Sequence, residues 1–189
     1  MCLKARMFIR CFYLKMKFFG TGLNGFLLSN IGIEAASQFD ADVLLAFGCP
    51  ASEEPCRLAE SILTTSDMIR LAIITKKKLV FASSQGAKYL TTPYEIQKRA
   101  LEDCIQTLVP SACILRIPRV YDRSRSTGLI QKLKESKVPE KDMLNETEFI
   151  TLEQFKEWFF NSITKEGIVE YTGPMYKMTL KDIKQFFKL

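Results

Sequence analysis

Three side chains and a glycine-rich turn carry the chemistry that this sequence can offer. Lys78 to Ser84 reads as a short buried strand ending in the hydroxyl pair Ser83 and Ser84, and Tyr94 and Lys98 open the helix that follows. Four residues apart on a helix is one face. An ammonium beside a phenol favours the phenolate and would lower a tyrosine from its reference pKa of about 10. Tyr94 could then exchange a proton with a carbinol or carbonyl oxygen, while Ser84 donates a hydrogen bond that steadies that oxygen. These are the needs of hydride transfer beside a nicotinamide ring, where Lys98 could also reach ribose hydroxyls. Tyr-x-x-x-Lys occurs by chance on many helix surfaces; the serine pair at the end of the preceding strand gives it weight.

Upstream, Gly20, Gly22 and Gly25 lie between an apolar strand and an expected helix. Small residues let the backbone turn tightly and bring helix-terminal N–H groups onto a pyrophosphate. A plain strand-to-helix turn is the simpler alternative. No Lys-Ser/Thr follows, so this is not a Walker A loop. Downstream, Arg116, Arg119, Arg123 and Arg125 suit bidentate phosphate contacts, and Arg119, Arg123 and Arg125 are the candidates for holding an anionic substrate. A solvated charged surface is the alternative. The carboxylates Glu102 and Asp103 read as solvated helix residues.

Composition removes other chemistries. The chain has 189 residues, no histidine and a formal charge of +6. Without histidine there is no Ser-His-Asp or Cys-His hydrolysis and no HExxH metalloprotease. Six cysteines are scattered without a Cys-x-x-Cys pair, so no metal site is expected. They read as mostly buried free thiols in a reducing, cytoplasmic setting. The positive charge favours anionic partners, but only Tyr121 interleaves with the basic cluster, so nucleic acid is the weaker reading. No apolar run has the length of a membrane span, about 18 residues or more. Residues 1–15 mix aromatic and basic side chains and read as an extension, with a leader as the alternative.

The elements that must position these residues alternate. Strands are expected at Met16–Phe19, Ala41–Phe47, Leu79–Ala82, Cys113–Ile117 and Gly167–Tyr171. Helices are expected at Phe26–Gln38, from about Glu53 to Thr75, and at Tyr94–Leu108, Gly128–Lys134, Leu152–Ile163 and Leu180–Phe187. This order predicts an α/β fold, a mostly parallel sheet covered by helices, with the ligand crevice at the C-terminal strand ends. One compact domain is expected over residues 16–189.

The order of motifs resembles the extended short-chain dehydrogenase/reductase family, in particular its NAD-dependent epimerase/dehydratase group. Gly22-Leu23-Asn24-Gly25-Phe26-Leu27-Leu28-Ser29-Asn30 is similar to its GxxGxxG segment, with Leu28 in the third glycine position. Pro93-Tyr94-Glu95-Ile96-Gln97-Lys98 is similar to its PYxxxK. Ile114 to Asp122 resembles its "lR…vYG" strand and loop, and Glu148 to Phe155 a later segment near the substrate region. The family's second and third strands have no evident counterpart. The resemblance implies a Rossmann-like three-layer sandwich with a reduced sheet and an abbreviated C-terminal substrate region. It implies NAD or NADP bound along Gly20, Gly22, Leu23, Asn24, Gly25, Phe26 and Lys98. It implies Ser84, Tyr94 and Lys98 as the catalytic set and a nucleotide-sugar-like or small carbonyl substrate. A catalytically weak or inactive relative used for protein contacts is the alternative, and monomer and homodimer both stay open.

Overall fold

The computed structural model describes residues 16–48, 54–126 and 128–189; the expected extension at 1–15 lies outside them. The chain forms two compact units. One comprises the residues up to Ile117 with Phe159–Glu170, the other Pro118–Trp158 with Tyr171–Leu189. The described strands are β1 (Lys17–Thr21), β2 (Glu34–Ala35), β3 (Val43–Ala46), β4 (Lys78–Ser84), β5 (Cys113–Ile117), β6 (Val120–Tyr121), β7 (Glu146–Thr151), β8 (Gly167–Glu170) and β9 (Tyr176–Thr179). The helices are α1 (Phe26–Ser29), α2 (Pro55–Thr75), α3 (Pro93–Leu108), α4 (Gly128–Lys134), α5 (Leu152–Ser162) and α6 (Leu180–Phe186).

The first unit holds a six-stranded sheet in the order β2-β1-β3-β4-β5-β8, and every pairing is parallel. All residues of β3 and β5 are buried, the pattern of strands covered on both faces. On one face Leu44, Ala46, Leu79, Phe81 and Ile114 pack with Met68, Ile69 and Ala72 of α2 and Leu101 and Ile105 of α3. On the other, Phe18 lies 6.5 Å from the ring of Phe159 near the end of α5, and the Cys113 thiol donates to the Ser162 carbonyl at 3.2 Å. Helix, sheet and helix give the expected three layers. Strand order reverses between β1 and β3, so the crevice of a doubly wound sheet falls at their C-terminal ends.

The expected helix over Phe26–Gln38 is replaced by one turn and a strand. Gly32 adopts φ +71°, which no α-helix can contain, and Asn30 caps α1 before it. Glu34 and Ala35 then pair with Lys17 and Phe18 as β2. A short second strand is thus present beside β1; among the described residues the order has no further strand beyond it. Leu28, in the third glycine position, is buried. On α2, Ser61, Thr65, Met68, Ile69 and Ala72 are buried, whereas Ile62 is 45% exposed. Cys56 and Cys104 are exposed, so only Cys113 of the described thiols is buried as expected.

In the second unit β6 pairs parallel with β7, and β7 antiparallel with β9. Phe149 centres the core: its ring lies 4.9 Å from Tyr121 and 5.4 Å from Tyr176. Ile130 and Leu133 of α4 and Leu180 and Ile183 of α6 close around it. Phe186 is 44% exposed, while Phe187 packs against the core.

Candidate functional site

The end of β4 and the start of α3 form the site. Thr92 caps α3: its hydroxyl accepts from the Glu95 N–H at 3.2 Å, and the Glu95 carboxylate accepts from the Thr92 N–H at 3.2 Å. Glu95 also accepts from the Thr91 backbone and hydroxyl, at 2.8 and 2.5 Å, and the hydrogen bond from the Thr91 hydroxyl is the main reason its carboxyl is lowered. With Pro93 in the first turn, this reciprocal capping fixes where the helix begins and so where Tyr94 stands. The Thr-x-x-Glu signature was readable in the sequence.

Tyr94 is half-buried and Lys98 is 1% exposed. The Lys98 ammonium donates to the Ala82 carbonyl at 2.6 Å. It lies 4.7 Å from the centroid of the Phe81 ring and 5.6 Å from that of Tyr94. Both distances lie within the range of cation–π attraction. The ammonium thus lies beside the Tyr94 ring, and the strand-end carbonyl of Ala82 holds it there.

Alternation along β4 separates the two serines. Ser83 shares the α3-facing side with Phe81, and its hydroxyl donates to Glu102 at 2.5 Å. Ser84, the last strand residue, starts from the opposite face with Ala82. Its hydroxyl accepts from the Gly86 N–H at 3.1 Å, which leaves its own proton to donate. The turn after Ser84 packs on the first turn of α3: a Cβ at Gly86 would collide with the Glu95 carboxylate. Ser84 thus leaves β4 on the face away from α3, while Tyr94 stands in the first turn of that helix.

Glu102 corrects an expectation. It is fully buried and grips Arg116 with both oxygens, from Nε at 3.0 Å and from Nη2 at 2.6 Å. Arg116 Nη1 donates to Glu170 at 3.0 Å, and Glu170 accepts from Lys88 at 2.6 Å. Arg116 is therefore an internal ion-pair partner and not part of a phosphate-binding cluster. Its pKa is raised, first by the hydrogen bonds to Glu102.

At the glycine turn, the Gly25 N–H donates to the Gly22 carbonyl at 2.9 Å. Gly22 has φ +77°, and a Cβ there would stand 2.7 Å from the Phe47 carbonyl carbon. The tight approach of this turn to β3 accounts for Gly22 before any ligand is considered. Leu23, Asn24 and Phe26 complete the turn and enter α1. β2 pairs only with Lys17 and Phe18, the N-terminal part of β1. The residues after it, Ala36, Ser37 and Gln38, carry no charge for an adenosine ribose. Asp42 accepts from the Lys17 N–H at 2.8 Å, at the opposite end of the sheet. Asp40 bonds Ser37 at 2.6 Å in a loop whose carbonyls at Gln38 and Phe39 are held by Lys77, just before β4. Neither carboxylate stands at the crevice. The donor set thus fits the reacting end of a nicotinamide nucleotide, while its adenosine end has no charged reader following β2.

The remaining candidates lie in the second unit. Arg119 Nη1 donates to the Thr147 hydroxyl at 2.6 Å, Arg125 Nη1 donates to the Val120 carbonyl at 2.8 Å, and Arg123 is exposed. Burial lowers the pKa of Arg125. Among the described residues there is no group of three or more metal-ligating side chains, and no helix is long and apolar enough to cross a membrane. Burial pushes the Cys113 thiol up to about 12, which makes it a poor nucleophile.

No protein-family model matches the chain, and no curated protein matches it in sequence. Solved structures do match it in shape. The enzyme WbmH from Bordetella bronchiseptica, solved with NAD+, has a TM-score of 0.66 at 14% identity, over 90% of this chain and 79% of that one. dTDP-4-dehydrorhamnose reductase from Bacillus anthracis, solved with NADP, has a TM-score of 0.69 at 12% identity, over 93% and 82%. ADP-L-glycero-D-manno-heptose-6-epimerase from Helicobacter pylori has a TM-score of 0.64 at 14% identity, over 93% and 83%. The chain thus shares the Rossmann-like fold of these structures.

Proposed function

We propose that the protein is an NAD(P)-dependent oxidoreductase or epimerase of the extended short-chain type, acting on a nucleotide-sugar-like or small carbonyl compound. The observation that carries this reading is the Lys98 ammonium, set between the Tyr94 ring and the strand-end carbonyl of Ala82, two residues before Ser84. A bound nicotinamide would give or take the hydride. Tyr94 exchanges the proton with the reacting oxygen, Lys98 supplies the charge that favours its phenolate, and Ser84 donates to the same oxygen. Gly20, Gly22, Leu23, Asn24, Gly25 and Phe26 form the turn that would face the cofactor diphosphate, and Lys98 its ribose. In the second unit, which we take as the abbreviated substrate region, Arg119, Arg123 and Arg125 supply charge for an anionic substrate. A cytoplasmic setting suits the exposed thiols of Cys56 and Cys104. Exposed Ile62, Leu63, Ile73 and Ile74 on α2, with Ile96 on α3, offer an apolar surface for a homodimer.

Titration with NADH and NADPH, followed by fluorescence, tests the reading. Saturable binding supports it, and binding of neither dinucleotide contradicts it. One observation favours a second reading: α1 is a single turn and β2 spans two residues, which suits a relative that holds the dinucleotide weakly and works through protein contacts. Sedimentation analysis showing a tight assembly that ignores both dinucleotides would favour that reading.

A further inference from the structure

The buried polar network deserves a function of its own. A Glu–Arg pair taken out of water gains little net stability over apolar residues of the same size, because desolvation offsets the Coulomb gain. What such a pair does supply is geometry, since a bidentate fork tolerates few arrangements. The geometry here is specific. Tyr94, Lys98 and Glu102 stand at intervals of four on α3 and form one row along the helix. Beneath that row Lys98 binds the Ala82 carbonyl, and Glu102 binds the Ser83 hydroxyl. From Glu102 the network runs through Arg116 on β5 to Glu170 at the end of β8, and returns through Lys88 to the turn that follows β4. Ser84 is therefore tethered on both flanks, at residue 83 before it and at residue 88 after it. The element carrying Tyr94 and Lys98 is anchored to the same fork.

We infer that Glu102 and Arg116 are positioning residues, which hold the strand-end hydroxyl of Ser84 in register with the Tyr94–Lys98 row. The inference rests on the reading of Ser84, Tyr94 and Lys98 as the reacting set, but its test does not need turnover. Amide hydrogen exchange is followed in the full chain and in the double variant Glu102→Leu/Arg116→Met, which replaces the pair with apolar side chains. Exchange in Ser84–Lys88 and in the first turn of α3 should rise about tenfold or more through local opening, while β3 stays protected. Urea unfolding should show the double variant close to the parent in stability. Ser83→Ala, which leaves the ion pair whole, should give a smaller rise confined to Ser84–Lys88 and serves if the double variant does not fold. Unchanged exchange in those segments, or a uniform rise that includes β3, overturns the inference. With an active parent, the double variant should lose kcat and keep its KM for the dinucleotide. If the parent neither binds dinucleotide nor turns over, the hydride reading fails, and the exchange pattern still decides the positioning role.

Discussion

The two halves of the crevice in the first unit are built to different standards. On the side of β4 and α3, a capping box fixes the helix start, a buried ammonium joins helix to strand, and a bidentate ion pair locks the layer beneath. On the side of β1, α1 is one turn long, β2 covers only two residues, and the three residues after it carry no charge. The first half is over-determined by hydrogen bonds between side chains far apart in sequence. The second is held mainly by close backbone approach at Gly22. The contrast teaches that the strand-to-helix pairing of the candidate site does not depend on a long first helix or a long second strand.

Substitutions can break or sharpen that contrast. The largest effect is expected at Tyr94→Phe: turnover should fall by about 10²–10⁴-fold, the usual worth of a general acid–base group, with little change in melting temperature. Phenylalanine supporting equal turnover would remove the assignment. Lys98→Met keeps the bulk of the stem but leaves the Ala82 carbonyl without its ammonium partner. Urea unfolding should show a loss of about 1–3 kcal/mol.

On the weaker side, Gly22→Ala forces a Cβ against Phe47 at φ +77° and should cost about 1–3 kcal/mol by thermal unfolding. A neutral result there would show that the turn is looser than described. Thr92→Ala removes a cap and should cost about 1 kcal/mol, with helix loss confined to the start of α3. The smallest effect belongs to the rim. The Lys88 hydrogen bond is the main cause that holds the Glu170 carboxyl below its usual range. Its contribution is present above the unfolded-state value, about 4.3, and is lost as pH falls through the lower folded value. Glu170→Gln should therefore flatten the acid limb of the stability curve slightly, since Glu170 is partly exposed and screened.

Much of the well-built half was legible in the sequence. Pro93, Tyr94 and the apolar period of α3 mark the helix, and the apolar run at Cys113–Ile117 coincides with β5. The truncated half was not. Residues 26–38 carry apolar side chains at helical spacing, but Gly32 and the pairing of Glu34–Ala35 with β1 override that period. Glu102 looked solvated because a carboxylate on a helix usually is; only the fold brings Arg116 against it from a strand 14 residues away. β6 and β9 are too short to show an alternation of their own, and their pairing with β7 is set by the second unit's aromatic core.

The most direct test is a crystal soaked with NAD and, separately, with NADP. The account predicts density for a nicotinamide ring beside Tyr94, Lys98 and Ser84, with the diphosphate over the Gly22–Gly25 turn. Crystals saturated with either dinucleotide that show no density at that edge, or a dinucleotide bound on another surface, would contradict it.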